Sequence, residues 1–176
     1  DRIAALHSTQ VNNFTTGQVA AIGSDISALA TNGIATFENF QVAVLTTDEV
    51  SALTTAQIRA LSSGAIGGLT TAGVVALTTQ QATVLKTAQL RVFDTLQIRS
   101  LETADVAALT TEVISTLTTL QLQSLTTAAV VALTTAQAAA LGSVQIRDLT
   151  TVQVAAMEAS DFAVLGTEGV ASLDSE

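Results

Sequence analysis

Three kinds of side chain in this sequence could do chemistry: many hydroxyls, a moderate number of carboxylates and one imidazole, His7. A nucleophilic Ser or Thr needs a base within hydrogen-bond reach and a third group to orient that base. His7 has no second His and no Cys to join it, so it supports neither a triad nor a metal site and reads as an exposed joint residue. The hydroxyls recur every eight residues, at Thr47, Thr55, Ser63, Thr71, Thr79 and onward through Thr151. Hydroxyls placed once per unit without a paired base read as helix caps. The carboxylates also follow the period, with Asp48, Glu112 and Glu168 at one place in the octad, Glu49, Asp105 and Asp161 at the next, and Glu38, Glu102 and Glu158 at the joint. Acids early in a helix and cations late in it suit the helix dipole, and Arg59, Arg91, Arg99 and Arg147 all occupy the late position. No catalytic residue, cofactor or metal ligand is assigned. The remaining polar column is Gln, at Gln10, Gln18, Gln41, Gln57, Gln81, Gln89, Gln97, Gln121, Gln137, Gln145 and Gln153. It is expected to bond between coils or to satisfy carbonyls at the joints, with a surface recognition strip as the alternative.

The period that organises these residues is set by two apolar rails. Numbering each octad from its Leu, position one runs from Leu45 through Leu53, Leu61 and Leu69 to Leu173, and position six runs from Val50 through Ile58 and Ile66 to Phe162 and Val170. A strand would send positions one and six to opposite faces. Position six and the next position one lie three apart and share one side of a helix. Ala, Gln, Arg and Leu between the rails favour helix as well. Eight residues do not divide into whole α-helical turns, so the helix must restart in every unit. Position three, the recurring Ser or Thr, is the expected N-cap, because position two varies among Thr, Glu, Asp, Lys, Gly and Ser. Ala159 breaks that rule beside Ser160, and the alternative is a cap at position two, where Thr54 and Gln57 would form a capping box.

Helices of about six residues cannot stand alone and must be stabilised by stacking. The expected fold is therefore all-α: a solenoid or superhelix of short helices, with three or four octads per coil, the rails facing the axis, and a rod on the order of 60 Å long. A zigzag of antiparallel helix pairs is the competing geometry. Residues 1–176 form one repeat domain with a seven-residue irregular unit at 22–28, "IGSDISA". The chain begins within a repeat and without a signal segment, and so reads as a piece of a longer one. The glycines of "SSGAIGGL" lack the Lys and strand context of a phosphate loop and mark a soft unit.

Composition removes several function classes. The chain has 176 residues, 48% hydrophobic and only 3% aromatic, with no Cys, Pro, Trp or Tyr, so its core is aliphatic. Mean hydropathy of +0.52 disfavours disorder. A net charge of -9 with six basic residues disfavours nucleic acid as a partner. Every octad is broken by polar residues, so no membrane insertion is expected.

The stretches "ALTTAQIRAL", "ALTTAQAAAL" and "DLTTVQVAAM" resemble the Thr-Thr-x-Gln octapeptide-type repeat tracts of very large bacterial surface or secreted proteins, of the adhesin or RTX-like kind. The resemblance covers essentially the whole chain. It implies an extracellular or cell-surface location and a structural spacer or stalk without catalysis, whose partners are neighbouring repeats of the same chain and a surface glycan or protein. It carries no catalytic residues, and the glycine-rich nonapeptide of calcium-binding RTX modules does not occur here. The rival expectation is a binding module that uses a regular Thr or Gln face to recognise a repetitive ligand such as a glycan, a protein or ice.

Overall fold

The computed structural model describes residues 2–173, apart from the side chains of Glu168 and Ser172. Its described residues form twenty α-helices and one 3₁₀ helix, with no strand. The helices are four to seven residues long and begin at position three of each octad, as at Thr55–Ala60, Thr79–Ala82, Thr103–Ala108 and Thr127–Val131. Positions one and two form the joint. Leu125 (φ -59°, ψ 135°) ends one helix in an extended conformation, and Thr126 (φ -66°, ψ 157°) remains extended before the next begins. Two extended residues and one to two helical turns account for the octad.

Every pair of helices in close approach is three elements apart: Thr55–Ala60 against Thr79–Ala82, Thr79–Ala82 against Thr103–Ala108, and Thr103–Ala108 against Thr127–Val131. The chain therefore coils with three octads per turn, and the antiparallel zigzag is excluded. Both rails line one continuous apolar cluster that runs from Val11 to Leu165. Position six is the more deeply enclosed rail, with Val50, Ile58, Ile66, Val74, Val106 and Ile114 wholly inaccessible. The rails are less covered in the last described coil: Val154 and Val170 are half-buried, and Phe162, expected in the core, is 36% exposed. Leu6, Phe14 and Ile22 at the other end are likewise only partly covered.

The expected cap at position three is wrong, and the alternative at position two is right. The Oγ1 atoms of Thr54, Thr78, Thr118 and Thr134 each accept from the backbone N–H of position five. Position three is already helical and points outward, as at the exposed Thr55, Thr79, Thr103, Thr127 and Thr151. Variation at position two misleads because the cap has two interchangeable halves. Where position two is His7, Glu38, Lys86 or Gly142, the Gln three residues on accepts the position-two backbone N–H through its Oε1. Where position five is Ala65, Gly73, Val113 or Ala129, position two is Ser62, Thr70, Thr110 or Thr126, and its hydroxyl caps alone. Either half holds the turn, so neither position needs to be invariant.

Two glycines are demanded by geometry. The seven-residue unit at 22–28 closes as the 3₁₀ helix Gly23–Ala28, and Gly23 enters it at φ 61°, which other residues adopt at a cost. A Cβ on Gly68 would fall 2.2 Å from the backbone oxygen of Asn39 in the coil beneath. The second half of "SSGAIGGL" is thus a point of close backbone approach.

Leu117, at position one and 5% exposed, tests the enclosed rail. Leu117→Ala should destabilise by about 2 to 5 kcal/mol in thermal or denaturant unfolding, and a change near zero would show that the rail is not enclosed. The cap assignment predicts that Thr118→Val costs about 1 kcal/mol and Thr119→Val clearly less. The reverse order would return the cap to position three.

Candidate functional site

The feature around which the coils are built is the Gln at position five. As the third residue of its helix it faces inward, and eight of the column, including Gln41, Gln57, Gln81, Gln121 and Gln137, are no more than 5% exposed. A buried amide must find partners for both its oxygen and its nitrogen. The oxygen turns back to its own joint: Gln81 Oε1 accepts from Thr78 N–H at 2.7 Å. The nitrogen reaches the preceding coil, where Gln81 Nε2 donates to the carbonyls of Val50 at 2.8 Å and Leu53 at 2.6 Å. Gln57 does the same to Ile26 and Leu29, Gln137 to Val106 and Leu109, and Gln153 to Leu122 and Leu125.

These acceptors are the last carbonyls of one short helix and the first residue of the next joint. Chain termini of helices leave such groups unpaired, and in a coil made only of ends the shortage recurs in every unit. The Gln amide caps the start of one helix and the end of another at once. The separation is 28 and 31 residues along the column. It falls to 27 and 30 for Gln41, which bonds Phe14 and Val11 across the seven-residue unit. The missing residue is absorbed without loss of the clamp. Gln10 and Gln18, in the first described coil, are exposed. The Gln column is therefore an internal link and not a recognition strip, which corrects that part of the binding-module expectation.

Three carboxylates occupy the same inward position. Glu49 is 1% exposed, and its Oε2 accepts from Thr46 N–H at 2.7 Å as a Gln oxygen would. Its Oε1, standing where the amide nitrogen would be, is buried without a hydrogen-bond partner. Asp105 is also 1% exposed, and its Oδ2 is buried and unpartnered. Burial pushes the Asp105 carboxyl above the usual aspartate range; nearby Glu102 adds to the rise, and the Thr79 hydroxyl opposes it. Asp161 is 3% exposed.

The other candidates lie on the surface. His7 is exposed; its backbone N–H donates to Gln10 Oε1, and its carbonyl accepts from the N–H groups of Gln10 and Val11. Asp48 and Glu112 are exposed, as are Arg59, Arg91, Arg99 and Arg147; the side chain of Glu168 lies outside the described residues. Asp148 receives Thr119 Oγ1 at 2.6 Å and the Arg147 guanidinium at 3.0 Å, and both hold its carboxyl below the usual range. No group of three or more potential metal ligands occurs among the described residues. A surface groove of about 580 Å³ is lined by Thr95, Leu96, Arg99, Gln123 and Thr127. It brings together no acid and base of the kind acyl or phosphoryl transfer requires. The sequence pattern did not reveal an apolar column outside the coil, Leu96, Leu120 and Val144, each at least 55% exposed and one coil apart. Its signal is a position-four residue repeating at the interval of a full coil, which becomes visible only once the coil length is known.

Residues 50–87 and 83–119 match the family model of the ALTTAQ repeat. No curated protein and no solved structure shows significant similarity to the chain. The matched stretch includes the clamps of Gln57, Gln81, Gln89 and Gln97, so the repeat and the clamp coincide. No helix of the described residues is long and apolar enough to cross a membrane.

The clamp can be tested by removing its polarity at near-constant size. Gln121→Leu leaves Thr118 N–H and the Phe93 carbonyl without their partners. The loss should be about 2 to 4 kcal/mol, since orphaned buried groups cost about 1 to 3 kcal/mol each. A substitution that is neutral in chemical denaturation would remove the amide from the list of structural determinants.

Proposed function

We propose that this chain is a structural spacer, a non-catalytic stalk segment of an extracellular or cell-surface bacterial protein that sets a distance between whatever lies on either side of it. The observation that supports this reading is the continuity of construction. One apolar cluster extends from Val11 to Leu165, and amide clamps repeat along it with an unchanged register from Gln57 to Gln153. Such a coil is stabilised by nearest-neighbour contacts and can be lengthened by adding units. Its polar groups are spent on its own termini. The extracellular placement rests on the resemblance of the Thr-Thr-x-Gln tracts to those of large surface and secreted proteins. Neighbouring repeats are its first partners, and nucleic acid and membrane insertion are not part of the proposal.

A second reading, a binding module, keeps one observation in its favour. Thr55, Thr79, Thr103, Thr127 and Thr151 are exposed and stand one coil apart, which gives a row of hydroxyls able to face a repetitive glycan or protein surface.

Excision separates the two. Removing Leu125 through Ala132 deletes one octad and joins Ser124 to Leu133, preserving both rails. Removing three octads should shorten the rod by about one helix spacing, 8 to 10 Å, in solution scattering, with helicity per residue unchanged. If the octad deletion unfolds the chain, the divisible spacer is wrong. If immobilised glycans retain the protein and lose it when Thr103, Thr127 and Thr151 are replaced by Glu, the binding module takes its place.

A further inference from the structure

The octad containing Asp105, like those of Gly33 and Asp161, lacks both halves of the cap found in most units. Its position-two residue, Glu102, makes no side-chain cap, and its position-five residue is an acid one methylene shorter than the usual Gln. The carboxyl nevertheless faces the preceding coil. The Thr79 hydroxyl lies against it, and helix Thr103–Ala108 packs on helix Thr79–Ala82. By the 28- and 31-residue register of the Gln clamps, the carbonyls opposite belong to Leu77 and Val74. An ionised carboxylate has only acceptors to offer them, whereas a carboxylic acid has one O–H donor. Oδ2 accordingly stands buried without a partner.

Among the described residues, the two helices packed on this one, Thr79–Ala82 and Thr127–Val131, contain no titratable side chain, and the charged group that acts on Asp105 is Glu102, itself an acid. A calcium ion would require six or more oxygens at short range, and no such group of side chains exists among the described residues.

We propose that Asp105 is a proton-operated link between coils: its protonated carboxyl donates to the joint carbonyls of the preceding coil, as the Gln amide does elsewhere, and its ionisation opens that link. The proton comes from solvent and returns to it, and no bond other than O–H is made or broken. The link loosens one coil contact near the middle of the rod as pH rises and tightens it as pH falls. The sign follows from the direction of the shift. Burial raises the folded-state value above the ordinary aspartate value, so the stabilisation is complete below the unfolded value and disappears as pH rises through the folded one.

The experiment compares thermal melts of the wild-type chain with those of Asp105→Asn and Asp105→Gln. The first is the neutral isostere of the acid form, and the second restores the residue of the other units. At about pH 8 at least one neutral variant should melt higher than wild type by about 3 °C, and the difference should shrink as pH falls and vanish by about pH 3, below the unfolded aspartate value. Comparing the difference removes the general relief of repulsion among the other carboxylates. Carbon-13 NMR of the Asp105 carboxyl should give a midpoint above the ordinary aspartate range. The proposal is overturned if neither variant melts higher at about pH 8, if the difference persists undiminished at about pH 3, if the midpoint is ordinary, or if calcium alone closes the gap at about pH 8.

Discussion

The structure depends on how a chain made almost wholly of helix ends can pair its backbone. A helix of four to seven residues has no interior, so most of its amides and carbonyls lack an intrahelical partner. Position two serves the amides through its hydroxyl, and Gln at position five serves the position-two amide of its own joint and the carbonyls of the coil below. Of the uncharged side chains, only an amide offers a strong acceptor and two donors on one planar group. The same reasoning explains why a carboxylate in that place leaves an oxygen unpaired, as at Glu49 and Asp105.

Because the clamp joins units 28 and 31 residues apart, it also sets the geometry of the coil. Three octads must separate a Gln from its joint, and the rails then stack helix over third-previous helix. The seven-residue unit at 22–28 shows the tolerance of this arrangement. A 3₁₀ helix entered through the left-handed Gly23 takes up the missing residue, and Gln41 still reaches Phe14. The apolar core is forgiving for a related reason. Position six accepts Val, Ile, Leu or Ala, as at Val50, Ile58, Leu90 and Ala82, because each side chain meets its neighbours along a continuous cluster.

The distribution of polarity bears on function. The Gln column is internal, and the outer surface carries the recurring Thr or Ser of position three, scattered acids, a few Arg, and the apolar column of Leu96, Leu120 and Val144. The ALTTAQ repeat match over residues 50–119 fits the same division, since the letters of that motif are the rail, the cap and the clamp.

The sequence by itself determined the period, the helical character, the two rails and the irregular unit, because these follow from local spacing: apolar residues three apart share a helix side, and eight residues cannot continue one helix. It could not rank position two against position three as the cap, because both columns are rich in Thr and the decisive fact is which of them is extended. Thr118 at ψ 161° is, and Thr119 begins the helix. Nor could it choose three octads per coil over four, expose Phe162, or turn the Gln column inward. Those are properties of residues some 28 positions apart, and only the closure of the coil brings such distant groups into hydrogen-bonding range.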